Sequence, residues 1–352
     1  MKKTRKKKTK LSNFIRLPLK KTSLKRYNSF GIDVKAINLI SIESEIDIIN
    51  FLEKRKNDKI LILGGGTNIL FTKDIEYPIL KIEIKGIEII NEDEDEVLLS
   101  VGAGENWNDL VWWSIENNFG GLENLVSIPG NVGSAPIQNI GAYGKEINEV
   151  IENCRGIFIE NSTMKIFNKQ ECKFSYRSSI FKEELKNNFI ISNVTLRLTK
   201  RNHKINTEYK SLKKTLIESG LNNPSIKNIA ECVHSIRSNK LPNYKKIGNA
   251  GSFFKNPLVK KDKLKEIRIS YPEIMNYKTK GSEYKISAAW LIENCGFKKI
   301  EENNVTVHKN QALVIINNGN AKGIDVYNYS QKIKKTVREK FDILLEEEVN
   351  IL

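Results

Sequence analysis

A stretch near the middle of the chain constrains its fold more than any other. Ile128-Pro129-Gly130-Asn131-Val132-Gly133-Ser134-Ala135-Pro136-Ile137-Gln138-Asn139-Ile140-Gly141-Ala142-Tyr143-Gly144 packs four glycines and two prolines among amides and small apolar residues. It is too rich in glycine for a core element and too patterned for a flexible linker. Small residues alternating with apolar ones suggest backbone held tightly against a flat ligand. A second cluster, Gly64-Gly65-Gly66-Thr67-Asn68, follows directly on Ile60 to Leu63, an apolar run that fits a buried strand. Glycines let backbone N–H groups approach a phosphate and adopt positive φ. Neither common phosphate loop is present: Ile69 occupies the third-glycine position of a G-x-G-x-x-G fingerprint, and no Gly-Lys-Ser/Thr follows. Alone, the cluster divides evenly between a tight structural turn and a pyrophosphate cradle. Two such loops in one region suggest a dinucleotide cofactor with its pyrophosphate between them.

Periodicity places these loops. Strands are expected near Ile37 to Ile40, Ile79 to Ile90, Val97 to Val101, Gly156 to Ile159, Lys165 to Phe167 and Phe189 to Leu198, with an acidic turn over Asn91 to Glu96. Ser44 starts one helix. Asn106 caps another, in which Trp107, Leu110, Val111 and Ile115 share a face, with Gly120-Gly121 as its stop. The texture changes near Lys200. Beyond it helices are expected over Ser225 to Asn239, Ile286 to Cys295 and Ile324 to Lys340, and strands over Ala312 to Ile316 and Leu345 to Leu352.

The formal net charge is +16, and the first ten residues are mostly Lys and Arg. That stretch lacks the apolar core of a secretion signal, and no run of about 18 apolar residues follows to span a bilayer. The remaining lysines are dispersed and accompany an over-use of Ile and Asn, which reads as a biased, solvated surface. No nucleic-acid-binding signature supports the alternative of a basic nucleic-acid-binding protein. Cys154, Cys172, Cys232 and Cys295 are widely spaced, which argues against zinc or a disulfide framework and for free buried thiols in a reducing cytoplasm. No metal site is expected. The absence of a G-x-S-x-G elbow and of a base partner for His203, His234 or His308 argues against a serine hydrolase.

Three further segments carry chemistry. Tyr176-Arg177-Ser178-Ser179-Ile180-Phe181-Lys182 sets an Arg among aromatics and hydroxyls, which is either a packed surface pair or a guanidinium aimed at an anionic oxygen. Gly248-Asn249-Ala250-Gly251-Ser252-Phe253-Phe254-Lys255-Asn256-Pro257 places Ser252 after small residues that leave its hydroxyl accessible. Leu345-Glu346-Glu347-Glu348-Val349 is, taken by itself, a solvated acidic face.

Taken together and in order, these segments resemble the UDP-N-acetylenolpyruvoylglucosamine reductase family from about Tyr27 to Val349. Tyr27-Asn28-Ser29-Phe30-Gly31-Ile32-Asp33, Gly102-Ala103-Gly104-Glu105-Asn106-Trp107, Gly121-Leu122-Glu123-Asn124-Leu125 and Val307-His308-Lys309-Asn310-Gln311-Ala312-Leu313 complete the match. The resemblance implies an α+β fold. An FAD-binding region like that of p-cresol methylhydroxylase and vanillyl-alcohol oxidase, over 27–199, precedes an α/β substrate-binding domain over 200–352, after a basic, disordered tail over 1–26.

It also implies an activity. NADPH reduces FAD, and the flavin then reduces UDP-N-acetylglucosamine enolpyruvate, in a cytoplasmic monomer that neither enters a membrane nor binds nucleic acid. Another FAD-dependent oxidase or dehydrogenase on the same fold is the alternative. By matching positions, Arg177 meets the enolpyruvyl carboxylate, Ser252 protonates the α-carbon, and Glu348 acts protonated or donates to the forming enol. The cofactor lies along Gly64, Gly65, Gly66, Thr67, Asn68, Ile69, Pro129, Gly130, Gly133, Ser134, Asn139, Gly141 and Ala142. Tyr209, Lys240, Asn256 and Gln311 surround the substrate, with Tyr209 on a substrate-closing loop. The chain departs from the family at Glu347, where proline is usual, so the register between Glu346 and Glu348 rests mostly on Val349. It departs again at Asn131, where some relatives have cysteine.

Overall fold

Two kinds of sheet satisfy the backbone around the first glycine cluster. The computed structural model describes residues 21–54, 59–279 and 281–352; the basic stretch at the start of the chain lies outside them. Leu39–Ile42, Ile79–Ile82 and Leu61–Leu63 form a parallel sheet in that spatial order. Over it lies the helix Glu45–Lys54, which buries Ile48, Phe51 and Leu52. A five-stranded antiparallel sheet follows, ordered Met164–Asn168, Ile151–Phe158, Phe189–Thr199, Glu96–Gly102, Ile87–Glu92.

The single strand expected from Ile79 to Ile90 is therefore two strands in different sheets. They part at Lys85-Gly86, where Gly86 has φ +119 and its N–H donates to Glu105 Oε1 at 2.8 Å. The acidic turn is tighter than its composition suggests, because Asp93 Oδ1 accepts the N–H groups of both Asp95 and Glu96 at 2.8 Å. Asn106 caps the helix Trp107–Glu116 by accepting from the Asp109 N–H at 3.1 Å. That helix ends at Asn117, with Asn118 in the left-handed conformation, and not at Gly120. Gly120 serves packing instead: a Cβ there would lie 2.5 Å from His203 Nδ1.

In the second half, Gly248–Ser252, Gln311–Asn317, Val305–His308 and Glu301–Glu302 form an antiparallel sheet, and Leu258–Lys260, Glu283–Ile286 and Asn276–Lys278 form another. Helix Ala288–Asn294 starts later than its periodicity suggests because Ile286 still belongs to a strand and Ser287 is the cap. The long helix Gly323–Phe341 buries Val326, Tyr329, Ile333 and Val337 against this half. The fold is α+β.

Two hydrophobic cores result, and a cut at residue 200 crosses both. Leu212, Leu216, Ile229 and Val233, from helices Lys210–Glu218 and Ile226–Lys240, pack into the core of the five-stranded sheet. Leu24, Phe30, Leu63, Ile69 and Phe71 pack into the core of the C-terminal half. The tail also ends before residue 26, since Lys21–Ser23 pairs with Lys35–Ile37. The final strand is shorter than expected: Asn350–Ile351 runs parallel to Ile69–Leu70, and Glu347 makes an isolated bridge to Phe254. The C-terminus is thereby delivered to the end of the first glycine cluster.

Candidate active site

The two glycine segments pack against each other. A Cβ on Gly65 would lie 2.8 Å from Asn131 Oδ1 and 3.0 Å from Gly130 Cα. Gly66 has φ +65, and a Cβ there would lie 2.0 Å from the carbonyl oxygen of Tyr27. These two glycines are demanded by protein packing, which sequence reasoning assigned to a ligand. Gly64 differs. The nearest atoms to its Cβ would be Asn131 Cβ at 3.8 Å and Ser134 Cβ at 3.9 Å, ordinary contacts, so packing alone does not demand a glycine there. Asn131, with no sequence-level role, holds the second loop through Nδ2, which donates to the Gly104 carbonyl at 3.0 Å. Ile69 is 7% exposed and belongs to the C-terminal core.

The rest of the second segment supports Arg177. The Asn139 side chain is fully engaged: Nδ2 donates to Glu146 Oε2 at 2.8 Å and to the Ser175 carbonyl at 3.0 Å, and Oδ1 accepts from the Asn148 N–H at 3.2 Å. Its amide is structural, not free for a cofactor. The carbonyls of Asn139 and Gly141 accept from Arg177 Nη1 at 3.4 Å and Nη2 at 2.7 Å. Arg177 itself sits in a two-residue turn closed by reciprocal Ser175–Ser178 backbone bonds, with φ +54. A non-glycine residue in that region costs roughly 1–2 kcal/mol, strain of the kind found where a side chain must be aimed.

Arg177 Nε meets Glu348 Oε1 at 3.2 Å, and both side chains are less than one-fifth exposed. The three successive glutamates go to different places. Glu346 pairs with Lys255 at the surface, Glu347 with Lys334 at 2.8 Å and Gln331 at 3.0 Å, and Glu348 alone faces Arg177. Burial pushes the Glu348 carboxyl above the usual range, although Arg177, Lys182 and Lys255 pull the other way. Burial likewise pushes Lys182 down, helped by Lys255.

Ser252 comes alongside through backbone pairing. The Glu348 N–H donates to the Phe253 carbonyl at 2.8 Å, and the Phe253 N–H to the Leu313 carbonyl at 2.9 Å. A bulge between Asn249 and Ser252, with Gly251 at φ +69, re-aims the strand end. The Ser252 hydroxyl is half-buried and makes no hydrogen bond to another described residue.

The other sequence-chosen residues lie around this centre. Asn256 Oδ1 accepts from the Ala288 N–H at 2.9 Å, and the Asn256 side chain lies close enough to the Tyr176 phenol to lower its pKa against the stronger effect of burial. Lys240 ends its helix at the surface, and the neighbours of Lys240 and Gln311 are joined by Asn310 Nδ2 donating to the Asn239 carbonyl at 3.2 Å. Tyr209 packs edge-on against Tyr143 at 5.0 Å between ring centres. No hydrogen bond, ion pair or ring contact joins Tyr209, Lys240 or Gln311 to the Arg177–Glu348 pair.

Sequence reasoning missed Arg237 and Lys285. Arg237 lies one helical turn before Lys240, and its Nε is buried without a hydrogen-bond partner. Burial lowers its pKa, Tyr143 offsets this, and no carboxylate compensates. Its helical spacing from Lys240 was the available signal. Lys285 lies in an ordinary strand with none. Among the described residues no group of His, Cys, Asp and Glu could hold a metal, all four cysteines are free, with Cys295 only half-buried, and no helix is long and apolar enough to cross a membrane.

Comparison with known proteins gives a consistent result. Residues 38–159, which contain both glycine segments, match the FAD binding domain model. Residues 242–352, which contain Ser252 and Glu348, match the model of the UDP-N-acetylenolpyruvoylglucosamine reductase C-terminal domain. The reductase of that name from Flavobacterium johnsoniae is 48% identical over 330 residues, covering 94% of this chain and 98% of the relative. Its Pseudomonas aeruginosa counterpart is 39% identical over 331 residues, covering 94% and 97%. The crystal structure of the Thermus caldophilus reductase superimposes with a TM-score of 0.66 at 22% identity, over 95% of this chain and 98% of that one, a likeness of fold.

Proposed function

The chain belongs to the UDP-N-acetylenolpyruvoylglucosamine reductase family, and from that premise we propose that Arg177, Ser252 and Glu348 form the centre where it reduces its substrate, with NADPH as the hydride source in the cytoplasm. The activity is FAD-dependent reduction of UDP-N-acetylglucosamine enolpyruvate to UDP-N-acetylmuramate, a step of peptidoglycan synthesis. The observation that carries this reading is the convergence of a guanidinium, a hydroxyl-bearing strand end and a carboxyl group from three distant segments.

The chain's own groups suit the chemistry. FAD, when bound, supplies the hydride that ends on the β-carbon of the enolpyruvyl ether. Gly64, where packing alone does not demand a glycine, the loop carrying Pro129, Gly130, Gly133 and Ser134, the Gly141-Ala142 backbone and the unpartnered Arg237 Nε fit the polar oxygens of such a group. Negative charge then builds on the carboxylate end of the substrate. Glu348, whose raised pKa lets it keep a proton longer than an ordinary carboxyl, donates a hydrogen bond there. Arg177 holds Glu348 in place and adds a fixed positive field. The unengaged hydroxyl of Ser252 delivers the proton to the α-carbon. Lys240, Asn256, Gln311 and Tyr209 surround the nucleotide sugar.

NADPH oxidation by the purified yellow protein tests the reading. It should require UDP-N-acetylglucosamine enolpyruvate and yield UDP-N-acetylmuramate; oxidation that ignores the sugar would overturn it.

A further inference from the structure

The cations around Glu348 are not equally free. Three of the five N–H groups of the Arg177 guanidinium are engaged, by Glu348, by the Gly141 carbonyl and more weakly by the Asn139 carbonyl, which leaves one on each Nη. Lys255 is paired with Glu346. Lys182 Nζ donates to the Arg177 carbonyl at 3.0 Å. Lys182 has no carboxylate in ion-pair contact among the described residues, and neither has Lys285. Lys285 is half-buried on the strand Glu283–Ile286, and its ammonium lies 3.6 Å from the centre of the Tyr176 ring. Tyr176 is the neighbour of Arg177, and on the facing strand Lys285 is paired with Tyr277.

An ammonium so placed is uncomfortable. Burial pulls its pKa down, the Arg177 charge adds to the effect, and Glu146 only partly offsets it. The Tyr176 ring face compensates in part by cation–π attraction. An anion bound between Lys285 and the Arg177 turn would relieve the repulsion.

We propose that Lys285, beside Arg177, supplies positive charge to the enolpyruvyl carboxylate of the substrate. The inference rests on the functional reading above and adds a residue to it. Arg177 then acts on Glu348 and, through its remaining N–H groups, on the carboxylate, and Lys285 adds a second cation on the substrate. Because the carboxylate gains charge as the β-carbon takes up hydride, Lys285 contributes both to binding and to the subsequent step.

The test compares two ligands that differ in the carboxylate. Affinities of the FAD-loaded protein for UDP-N-acetylglucosamine and for its enolpyruvyl ether are measured by calorimetry in wild type, Lys285→Met and Lys285→Arg, with flavin content as the check on folding. Wild type should prefer the enolpyruvyl ether. Lys285→Met should lose about 10- to 100-fold of affinity for the ether alone, the scale of a lost hydrogen bond to a charged group. Lys285→Arg should recover most of that loss, which a purely packing role would not allow. If Lys285→Met weakens both ligands equally, the residue serves the diphosphate and the proposal is wrong; if it weakens neither, the charge is idle and the proposal is equally wrong. If wild type itself does not prefer the ether, the functional reading fails first, which is a distinguishable outcome.

Discussion

The side-chain amide of Asn68 donates to the main-chain carbonyl of Glu348 at 3.1 Å, joining positions 280 apart in the chain. The same amide donates to Gln138 Oε1 at 2.7 Å, and the Asn68 carbonyl accepts from the Asn350 N–H at 3.1 Å and from Asn350 Nδ2 at 3.0 Å. The end of the first glycine cluster thus positions the C-terminal carboxyl and touches the second glycine segment at once. Asn68→Ala should cost about 1–3 kcal/mol for two lost side-chain hydrogen bonds, read from urea unfolding. Turnover should fall by more than flavin content does, because the residue holds the Glu348 backbone.

Arg177 in its left-handed turn makes a second prediction. Arg177→Ala and Arg177→Gly should both lose roughly 10²–10³ in turnover, the scale of removing one preorganised stabiliser. Glycine accepts positive φ without penalty, so Arg177→Gly should be more stable than Arg177→Ala by about 1–2 kcal/mol. Equal stability would mean that the turn relaxes when the guanidinium is gone.

Glu348 should leave a signature in the pH dependence of stability. Burial raises its folded-state pKa above the ordinary glutamate value of 4.5. Between those two values the folded protein binds the proton and the unfolded chain does not, so this residue's contribution to stability falls as pH rises through that window. It is most favourable below the unfolded value and least favourable above the folded one. In Glu348→Gln that component of the slope should vanish, as measured by urea midpoints across the acidic to neutral range.

The glycine loops separate packing from ligand contact. Gly66→Ala places a Cβ 2.0 Å from a backbone oxygen at φ +65 and should destabilise by more than about 2 kcal/mol. Gly31→Ala, at φ +67 with nothing within 4 Å, should cost only the roughly 1–2 kcal/mol of the conformation itself. Gly64→Ala meets only ordinary contacts and should leave the flavin-free protein as stable as wild type. It should nevertheless retain less flavin, measured as the ratio of flavin to protein absorbance.

Much of this was legible in the sequence for local reasons. Asn106 caps its helix because a side-chain oxygen one residue before an apolar face has an orphan N–H to satisfy, and that logic needs no tertiary contact. Both glycine segments were recognisable, and so was the convergence of Arg177 and Glu348 through family resemblance. The purpose of individual glycines was not legible: whether a Cβ meets Asn131, Tyr27 or empty space depends on segments far away. Asn139 and Ile69 were assigned to the cofactor by position in a motif, yet one is consumed by scaffold hydrogen bonds and the other by the core. Lys285 was invisible because its place against Tyr176, without a carboxylate partner, depends on a contact with a ring far from it in sequence.

Ser252 offers the most direct test of the central account, through rapid mixing of Ser252→Ala in two separate half-reactions. Reduction of the flavin by NADPH should proceed at nearly the wild-type rate. Reoxidation of the reduced flavin by UDP-N-acetylglucosamine enolpyruvate should slow by a factor on the order of 10² or more, the scale of losing a positioned proton donor. Equal slowing of both half-reactions, or an unchanged second one, would contradict the role given to this hydroxyl beside Arg177 and Glu348.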